Sequence, residues 1–372
     1  MEFAEQTEDF ARAELNHDLL AREKNSRLDQ DAWKKCGEFG LHGLCLPEEL
    51  GGMGLSALET AAVAEAFGRG CDDFGLIFSS LAHLFACATP IAEHADPVLA
   101  RRIVPKLAKG EWVGANAITE AEAGSDAFAL KTSALKDGDV YRLTGVKSYV
   151  TNGPLADVFL VYAKTNPAHG EMGISAFVVE KDREGLRVGQ AFDKMGLKTS
   201  PVSQLYLDDC VVPAANRLGG EGDGAKIFTG SMHWERSCLF AAYVGAMDRQ
   251  LDQTIAFAKE RRQFRRPIAR RQSISHRIAD MKIRLESSRL LLAQACQMAD
   301  RGEDTTLAIS MAKVSVSEAA VQFGLDMLQI HGGLGYMEES GVPRHLLNAL
   351  PSTIFSGTSE VQRDLIASRL GL

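Results

Sequence analysis

The sequence lacks the cysteine and histidine patterns that mark disulfide frameworks and metal sites. Its 372 residues include seven cysteines, an odd number, scattered along the chain without a CxxC pair. Its nine histidines form no HExxH or other metal-binding spacing. We therefore expect reduced thiols in a cytoplasmic protein rather than a disulfide framework, and we predict no metal site.

The sequence also lacks an excess of positive charge. The chain has 41 basic and 49 acidic residues, a formal net charge of −8, and no long basic block, so its overall field would repel nucleic acid. The acidic opening at residues 1–5 argues against a secretory signal or an Arg-rich transit peptide. A P-loop, a GxSxG elbow and a GxGxxG set between a strand and a helix are missing as well, which removes the commonest nucleotide and hydrolase signatures.

One uncharged stretch approaches the length of a membrane span. Residues 74–92 carry no formal charge, and about 20 apolar residues are enough to cross a bilayer. However, Ser79, Ser80, His83 and Pro90 make this stretch too polar and too broken for lipid. We interpret it as a buried helix of a large helical domain and expect no membrane partner.

The periodicity of the apolar residues changes twice along the chain. Helical spacing gives way to short segments rich in β-branched and aromatic residues, and then returns to the end. The strand candidates are 140–144, 157–163, 174–179 and 204–207. The predicted fold is α+β and mostly α. Its expected domains are a helical domain at 1–112, a β domain at 113–224 and a helical domain at 225–372.

Two segments of the β region carry groups that could hold an oxygen-rich ring or a phosphate. The segment 117–126 leaves a predicted strand and enters a small-residue loop with hydroxyls at Thr119 and Ser125. A later strand ends in a turn, and its alternation predicts that Tyr149 and Thr151 share one face. Taken alone, the first segment is also typical of a solvated turn and the second of ordinary sheet packing.

Three further motifs follow in the C-terminal region. They are RRQF at 261–264 together with Gln272, QIHGGLG at 329–335, and FSGTSEVQR at 355–363. With the two β segments, in this order and over essentially the whole length, the sequence resembles the acyl-CoA dehydrogenase family. The resemblance implies a flavoprotein with a helical N-terminal domain, a β-barrel-like middle domain and a C-terminal four-helix bundle.

The resemblance also assigns residues to FAD. By motif match, Thr119, Ser125, Tyr149 and Thr151 would hold its isoalloxazine and ribityl part, and Thr358 would follow the same cofactor. In such proteins FAD lies at a subunit boundary, so the chain would form a homo-oligomer, a dimer of dimers. Four residues would reach the FAD of a neighbouring subunit: Arg261, Phe264, Gln329 and Gly333. Gln272, which belongs to the same motif as Arg261, is assigned to the cofactor with them.

The last motif also predicts a helix start. Residues 359–362 are typical of a capping box in which Ser359 opens the last helix. The positive end of that helix suits anionic cofactor groups, and Glu360 is assigned to the cofactor site with this motif.

The sequence departs from the family pattern at three positions. Ala121 replaces the usual Pro after Thr-Glu, and Arg265 replaces the usual Gly after Gln-Phe. Ser356 stands before Gly-Thr-Ser, where many members carry the catalytic Glu. Because a serine has no basicity at neutral pH, Ser356 cannot perform that role unaided.

Glu235 is the alternative base. It lies on a predicted long helix, and its neighbours three and four positions away cannot form the ion pair that a surface Glu usually has. Those neighbours are Ser231, Met232, Cys238 and Leu239. Burial on that face would raise the pKa of Glu235, which suits a general base. The resemblance places Glu235 where isovaleryl-type members keep their base, although a solvated Glu is the ordinary alternative.

Two segments narrow the substrate. Residues 234–242 and 353–359 are similar to the branch that oxidises prolyl groups tethered to a carrier protein. That similarity implies conversion of L-prolyl thioester to pyrrolyl or pyrrolinyl thioester in antibiotic biosynthesis, with a phosphopantetheine-bearing acyl or peptidyl carrier protein as partner. The electron acceptor, an electron-transfer flavoprotein or oxygen, stays open.

The segment 259–271 has seven cations and one acid. It is either a solvated helix end with flavin phosphate contacts or a docking patch for an acidic carrier protein. Three other functions also stay open: a short- or branched-chain acyl-CoA dehydrogenase, a flavin-dependent oxygenase that needs no base at Glu235, and a non-enzymatic flavin-binding assembly protein.

Overall fold

Helices occupy the first part of the chain, which a computed structural model describes from residue 2 to residue 372. They are α1 (Glu2–Glu14), α2 (Leu19–Lys24), α3 (Gln30–Phe39), α4 (Ala57–Gly70), α5 (Phe74–His83), α6 (Thr89–His94) and α7 (Pro97–Ala108). Ser56 opens α4 in a capping box with Glu59, and Asp96 caps α7 ahead of its first-turn proline. The helical N-terminal region that the apolar periodicity predicts is confirmed.

The uncharged stretch lies inside one continuous helix. α5 runs through a π-helical turn, Leu84–Ala88, into α6. The span Phe74–His94 is long and apolar enough to cross a membrane, but 94% of its most apolar window is buried inside the protein. It is therefore a core helix, as expected.

The middle region is a mostly antiparallel sheet. Its strands are β1 (Gly114–Ala117), β2 (Ser133–Asp137), β3 (Val140–Thr151), β4 (Val158–Lys164), β5 (Ile174–Glu180), β6 (Leu186–Ala191), β7 (Val202–Pro213) and β8 (Arg217–Leu218). Their order is β6-β7-β3-β2-β4-β5-β8, and β1 pairs with β4 in parallel. The four strand candidates are confirmed within β3, β4, β5 and β7. The periodicity missed β2 and β6 because these strands have few β-branched or aromatic residues.

The sheet surrounds a core of its own. On β4, Phe159 and Val161 belong to a cluster to which six strands contribute, whereas Leu160 and Tyr162 face the core shared with the helices. Both faces of β4 are fully buried, which explains its continuous apolar sequence. This enclosed cluster gives the middle region the expected barrel-like character.

Helices return after the sheet. They are α8 (Gly224–Trp234), α9 (Phe240–Glu260), α10 (Gln272–Asp300), α11 (Thr306–His331), α12 (Val342–Ala349) and α13 (Ser359–Arg369). A π-helical turn, Glu235–Leu239, joins α8 to α9, and a short hairpin of β9 (Arg262–Gln263) and β10 (Arg266–Pro267) precedes α10. α9, α10 and α11 pack against one another and α13 packs against α11, so the predicted four-helix arrangement is confirmed.

The two helical regions are joined by a close crossing of α4 and α9. A Cβ on Gly68 would lie 2.0 Å from the carbonyl oxygen of Ala242, and a Cβ on Gly245 would lie 1.8 Å from that of Glu65. Neither position can hold a larger residue without moving the backbone. This crossing brings the π-helical turn of residues 235–239 against the turn of residues 84–88.

Candidate active site

A cavity of about 450 Å³ lies where the three regions meet. One wall is the core helix of residues 74–94, a second is formed by β1 and β3, and the third by the end of α8 and the loop before α13. The predicted site residues that line this cavity are Thr119, Ser125, Tyr149, Thr151, Glu235 and Thr358. Residues far apart in sequence thus converge on one space.

Glu235 occupies the first position of the π-helical turn between α8 and α9. Its side chain lines the cavity although the residue is only 7% exposed. The Ser237 hydroxyl donates to the carbonyl of His233 at 2.7 Å, which satisfies an acceptor at the turn. Burial raises the pKa of Glu235 above its ordinary value, which is the predicted direction, while the Ser356 hydroxyl opposes this shift.

Ser356 contacts the candidate base directly. Its hydroxyl donates a short hydrogen bond to Oε1 of Glu235. Its carbonyl oxygen accepts from Nε of Arg236 at 2.7 Å and from Nε2 of Gln362 at 3.3 Å. In the sequence, Ser356 stands where many family members carry the catalytic Glu. No local signal predicts that its side chain contacts another Glu 121 positions away.

The loop with Thr119 is fixed to β3 by a buried ion pair. Nζ of Lys147 donates to Glu120 at 2.8 Å and to the carbonyl of Ile118 at 3.0 Å. Glu120 also accepts from the backbone of Thr132 at 2.9 Å. Burial lowers the pKa of Lys147 to about 8 even with this partner. The pair holds the two predicted flavin-binding segments in one place.

The strand alternation that predicts a shared face for Tyr149 and Thr151 does not hold. A β-bulge interrupts the pairing of β3 with β7 between Lys147 and Val150, and Tyr149 adopts a left-handed conformation with φ +57°. Simple alternation therefore fails here. Tyr149 and Thr151 nevertheless both line the cavity.

The predicted capping box at residues 359–362 was also wrong. α13 begins at Ser359, so its N-cap is Thr358, whose side chain accepts from the backbone N–H of Val361 at 3.3 Å. The hydroxyl of Ser359 is buried and has no partner among the described residues. The helix N-terminus still faces the cavity through Thr358.

Two asparagines in the cavity wall escaped the sequence analysis. The Oδ1 atoms of Asn116 and Asn152 are buried without a partner among the residues that the structure describes. Nδ2 of Asn152 is already used, since it donates to the carbonyl of Ser79 at 3.0 Å. These free acceptors, with the hydroxyls of Thr119 and Thr151, fit the polar edge of a flat ring such as isoalloxazine. An Asn within the buried strand β1 was the available signal.

The other predicted cofactor residues do not line this cavity. Arg261, Phe264, Gln272, Gln329 and Gly333 are exposed on the C-terminal region, and Phe264 is 86% exposed. Glu360 is also exposed, and it lies in the sequence between the cavity-lining residues Thr358 and Val361. Their assignment to FAD stays a prediction, and it requires a second subunit for the first five.

A larger and more open groove lies elsewhere. It measures about 790 Å³ and runs between the α1–α2 loop and the ends of α9 and α11. Two residues of the family motifs, His331 and Leu334, line this groove. The ring of His331 stacks on Phe257, with the ring centroids 4.0 Å apart. It contains none of the predicted site residues, so the smaller cavity is the candidate site.

Family models cover nearly the entire chain. The N-terminal, middle and C-terminal domains of acyl-CoA dehydrogenase match residues 1–111, 115–210 and 222–371. The chain belongs to the acyl-CoA dehydrogenase family. The limits drawn from the sequence, at 112/113 and 224/225, stay a prediction.

Similar proteins narrow the family. An L-prolyl-[peptidyl-carrier protein] dehydrogenase of Pseudomonas fluorescens is 50% identical over 91% of this chain and 90% of its own. A protein of the same name from a Serratia species is 44% identical over 98% of this chain and 94% of its own. The structure of PigA with FAD and proline superimposes with a TM-score of 0.98 at 42% identity, covering 100% of this chain and 97% of that one. The prolyl acyl carrier protein oxidase AnaB gives 0.98, also at 42% identity, and covers 100% and 98%.

Proposed function

We propose that this protein is an FAD-dependent dehydrogenase that oxidises an L-prolyl thioester tethered to a peptidyl carrier protein. The observation that carries the proposal is the buried carboxylate of Glu235 in the wall of the cavity that contains the flavin-binding motif residues. The similarity to prolyl-carrier dehydrogenases over nearly the whole chain supports the substrate.

The chemistry follows from the thioester. Its carbonyl acidifies the α-hydrogen, and Glu235 removes that hydrogen as a proton while a hydride leaves the β-carbon. Bound FAD supplies the two-electron oxidant that accepts the hydride. One such step removes two hydrogens and gives a pyrrolinyl thioester. Once the electron acceptor has reoxidised the flavin, a second two-electron oxidation would give the aromatic pyrrolyl thioester.

The protein's own residues bind and orient. Thr119 and Thr151 each offer a hydroxyl to the edge of the cofactor, and Asn152 offers its amide oxygen. The rings of Phe78 and Phe355 both line the cavity and lie 4.8 Å apart, which forms a compact apolar wall. Such a wall suits a small five-membered ring better than a long acyl chain, and it excludes water from the proton transfer.

The partners follow from the same proposal. The basic segment 259–271 is exposed for most of its length, and none of its cations forms an ion pair within residues 2–372. This leaves its charge free for an acidic carrier protein or for the phosphates of a neighbouring subunit's FAD. We further propose a cytoplasmic homotetramer, a dimer of FAD-sharing dimers, with an electron-transfer flavoprotein or oxygen as acceptor.

Anaerobic mixing of the yellow holoprotein tests the function. Prolyl thioester on its carrier protein should bleach the flavin, whereas free L-proline, prolyl-CoA and isovaleryl-CoA should do so much more slowly. Mass spectrometry of the carrier after turnover with the electron acceptor present then distinguishes the loss of two hydrogens from the loss of four. Equal bleaching by isovaleryl-CoA would contradict the carrier specificity, and a stable oxygenated product in air would favour the oxygenase.

A further inference from the structure

The segment that precedes α13 holds Ser356 in an unusual conformation. Its φ is +55°, a left-handed value that costs about 1 kcal/mol or more in a residue other than glycine. The adjoining Gly357 is also left-handed, with φ +86°. Arg236 and Gln362 fix the carbonyl of Ser356 from α8–α9 and α13 respectively. The backbone is thus constrained from two sides.

The result of this constraint is a hydroxyl aimed at the base. The Ser356 hydroxyl donates to Oε1 of Glu235, and a donor to a carboxylate favours its ionised form. Burial has the opposite effect on Glu235 and is the larger influence. Because a protonated Glu235 cannot accept the α-proton, the balance between these two effects decides how much enzyme is active at a given pH.

Other groups also face Glu235. Arg236 follows it in the chain, and Lys313 approaches from α11; both favour the carboxylate. From the sheet, Tyr162 on β4 is close enough for Glu235 to raise its pKa, and its hydroxyl has no partner among the described residues. Of these groups, Ser356 makes the hydrogen bond to the carboxylate.

We propose that Ser356 is a positioning residue whose hydroxyl holds the carboxylate of Glu235 in its reactive orientation and in its ionised form. The proposal rests on the proposed function, in which Glu235 is the base. Ser356 thus acts through Glu235 instead of replacing the missing Glu of the family motif. Its left-handed backbone is the means by which a short side chain reaches the carboxylate.

Three variants separate the hydroxyl from the backbone. Ser356→Ala removes the hydroxyl and keeps a residue with a Cβ at φ +55°. Ser356→Gly removes the hydroxyl and also relieves the left-handed conformation. Ser359→Ala is the matched control, since it deletes a nearby buried serine hydroxyl that has no partner in residues 2–372.

Infrared spectroscopy gives a readout that needs no turnover. The carboxylic acid band that disappears in Glu235→Gln identifies Glu235, and its intensity is followed against pH in each holoprotein. Ser356→Ala and Ser356→Gly should both move the midpoint upward by about one pH unit, the size expected for losing a hydrogen bond to a charged group. Flavin reduction by the prolyl carrier thioester should fall about tenfold below the midpoint and recover at higher pH.

The outcomes are distinct. An unchanged midpoint in Ser356→Ala overturns the proposal, and so does a shift in Ser356→Ala that is missing in Ser356→Gly. A shift equal to theirs in Ser359→Ala also overturns it, because the effect would then not be specific to Ser356. If the wild type shows the predicted titration but no thioester bleaches its flavin, the proposed substrate fails and the link between Ser356 and Glu235 stands. Unchanged flavin content and melting temperature verify that each variant is folded.

Discussion

The resemblance assigns two regions of this molecule to the same cofactor, and the two differ in how far the chain encloses them. The cavity around Glu235 is partly enclosed, and its walls come from all three parts of one chain. The C-terminal margin, residues 261–272 and 329–337, is largely exposed, and none of its residues lines that cavity. The cavity has enough lining from its own chain to hold the isoalloxazine ring. The margin, by contrast, forms no enclosed site within residues 2–372 of its own chain.

The side chains of the margin show what it lacks. Phe264 is 86% exposed and Tyr336 is 81% exposed, although aromatic side chains of this size are normally covered. Phe264 also has a left-handed backbone, with φ +48°, and the guanidinium of Arg271 lies 5.3 Å from its ring centroid. On the proposed function, we expect the cavity to hold the FAD of its own subunit and the margin to contact the FAD of a neighbouring subunit.

Loss of the base should give the largest effect. Glu235→Gln keeps the size of the side chain and can still accept from Ser356, so fold and flavin content should survive. Flavin reduction by the prolyl carrier thioester should fall by about 10²–10⁴-fold, the usual contribution of a general base. Stopped-flow absorbance under anaerobic conditions measures it. Bleaching at nearly the wild-type rate would remove Glu235 from the mechanism and favour the oxygenase.

The same contrast explains what the sequence could predict. The helical and β regions follow from local periodicity, which is a short-range signal. The neighbours of Glu235 on its helix leave a solvated Glu as the ordinary alternative, and it is the family resemblance that favours Glu235 as the base. The contact of Ser356 with Glu235 depends on where two distant segments meet, and the bulge at Tyr149 depends on pairing with β7. Neither has a local signature. The proposed partner of the margin is a neighbouring subunit, and only the motif resemblance points to it.

Disrupting the margin should separate the two regions. Phe264→Asp places a charge where we expect a subunit contact, so the FAD content and the oligomeric mass should both fall, with a several-fold loss of FAD affinity. Met172→Asp is the matched control, since Met172 is 77% exposed in the turn between β4 and β5, away from the margin in sequence. Flavin absorbance and light scattering measure the two quantities. A Phe264→Asp protein that keeps both would show that the cavity alone holds the cofactor.

Charge in the margin should affect the carrier more than the cofactor. Reversing Arg265, Arg266 and Arg270 to Glu should raise the KM for the carrier-tethered prolyl group by about tenfold, while kcat changes little, because rim charges act mainly on encounter. The effect should shrink as salt is added.

The control for this variant changes the net charge by the same amount at other exposed sites. Reversing Arg27, Arg101 and Lys136, which are exposed and form no ion pair within residues 2–372, should leave KM unchanged. If the margin variant instead loses FAD, its cations serve the neighbour's cofactor phosphates and not the carrier.

The smallest expected effect concerns a buried charge, Lys313, which we compare with an exposed lysine just before the margin. Lys313 on α11 is fully buried, its Nζ has no hydrogen-bond partner among the described residues, and it lies 5.5 Å from the ring centroid of Phe240. Burial lowers its pKa from 10.5 to about 8. Between these two values the unfolded chain binds more protons than the folded one, so Lys313 makes the stability rise with pH over that window.

Lys313→Met should therefore be more stable than the wild type at pH 7, and its advantage should shrink as the pH approaches 10.5. Lys259→Met, which removes an exposed ammonium, should follow the wild type at every pH. Urea unfolding across this range measures the difference, and parallel curves for Lys313→Met and the wild type would show that the Lys313 ammonium is better compensated than its missing partners indicate.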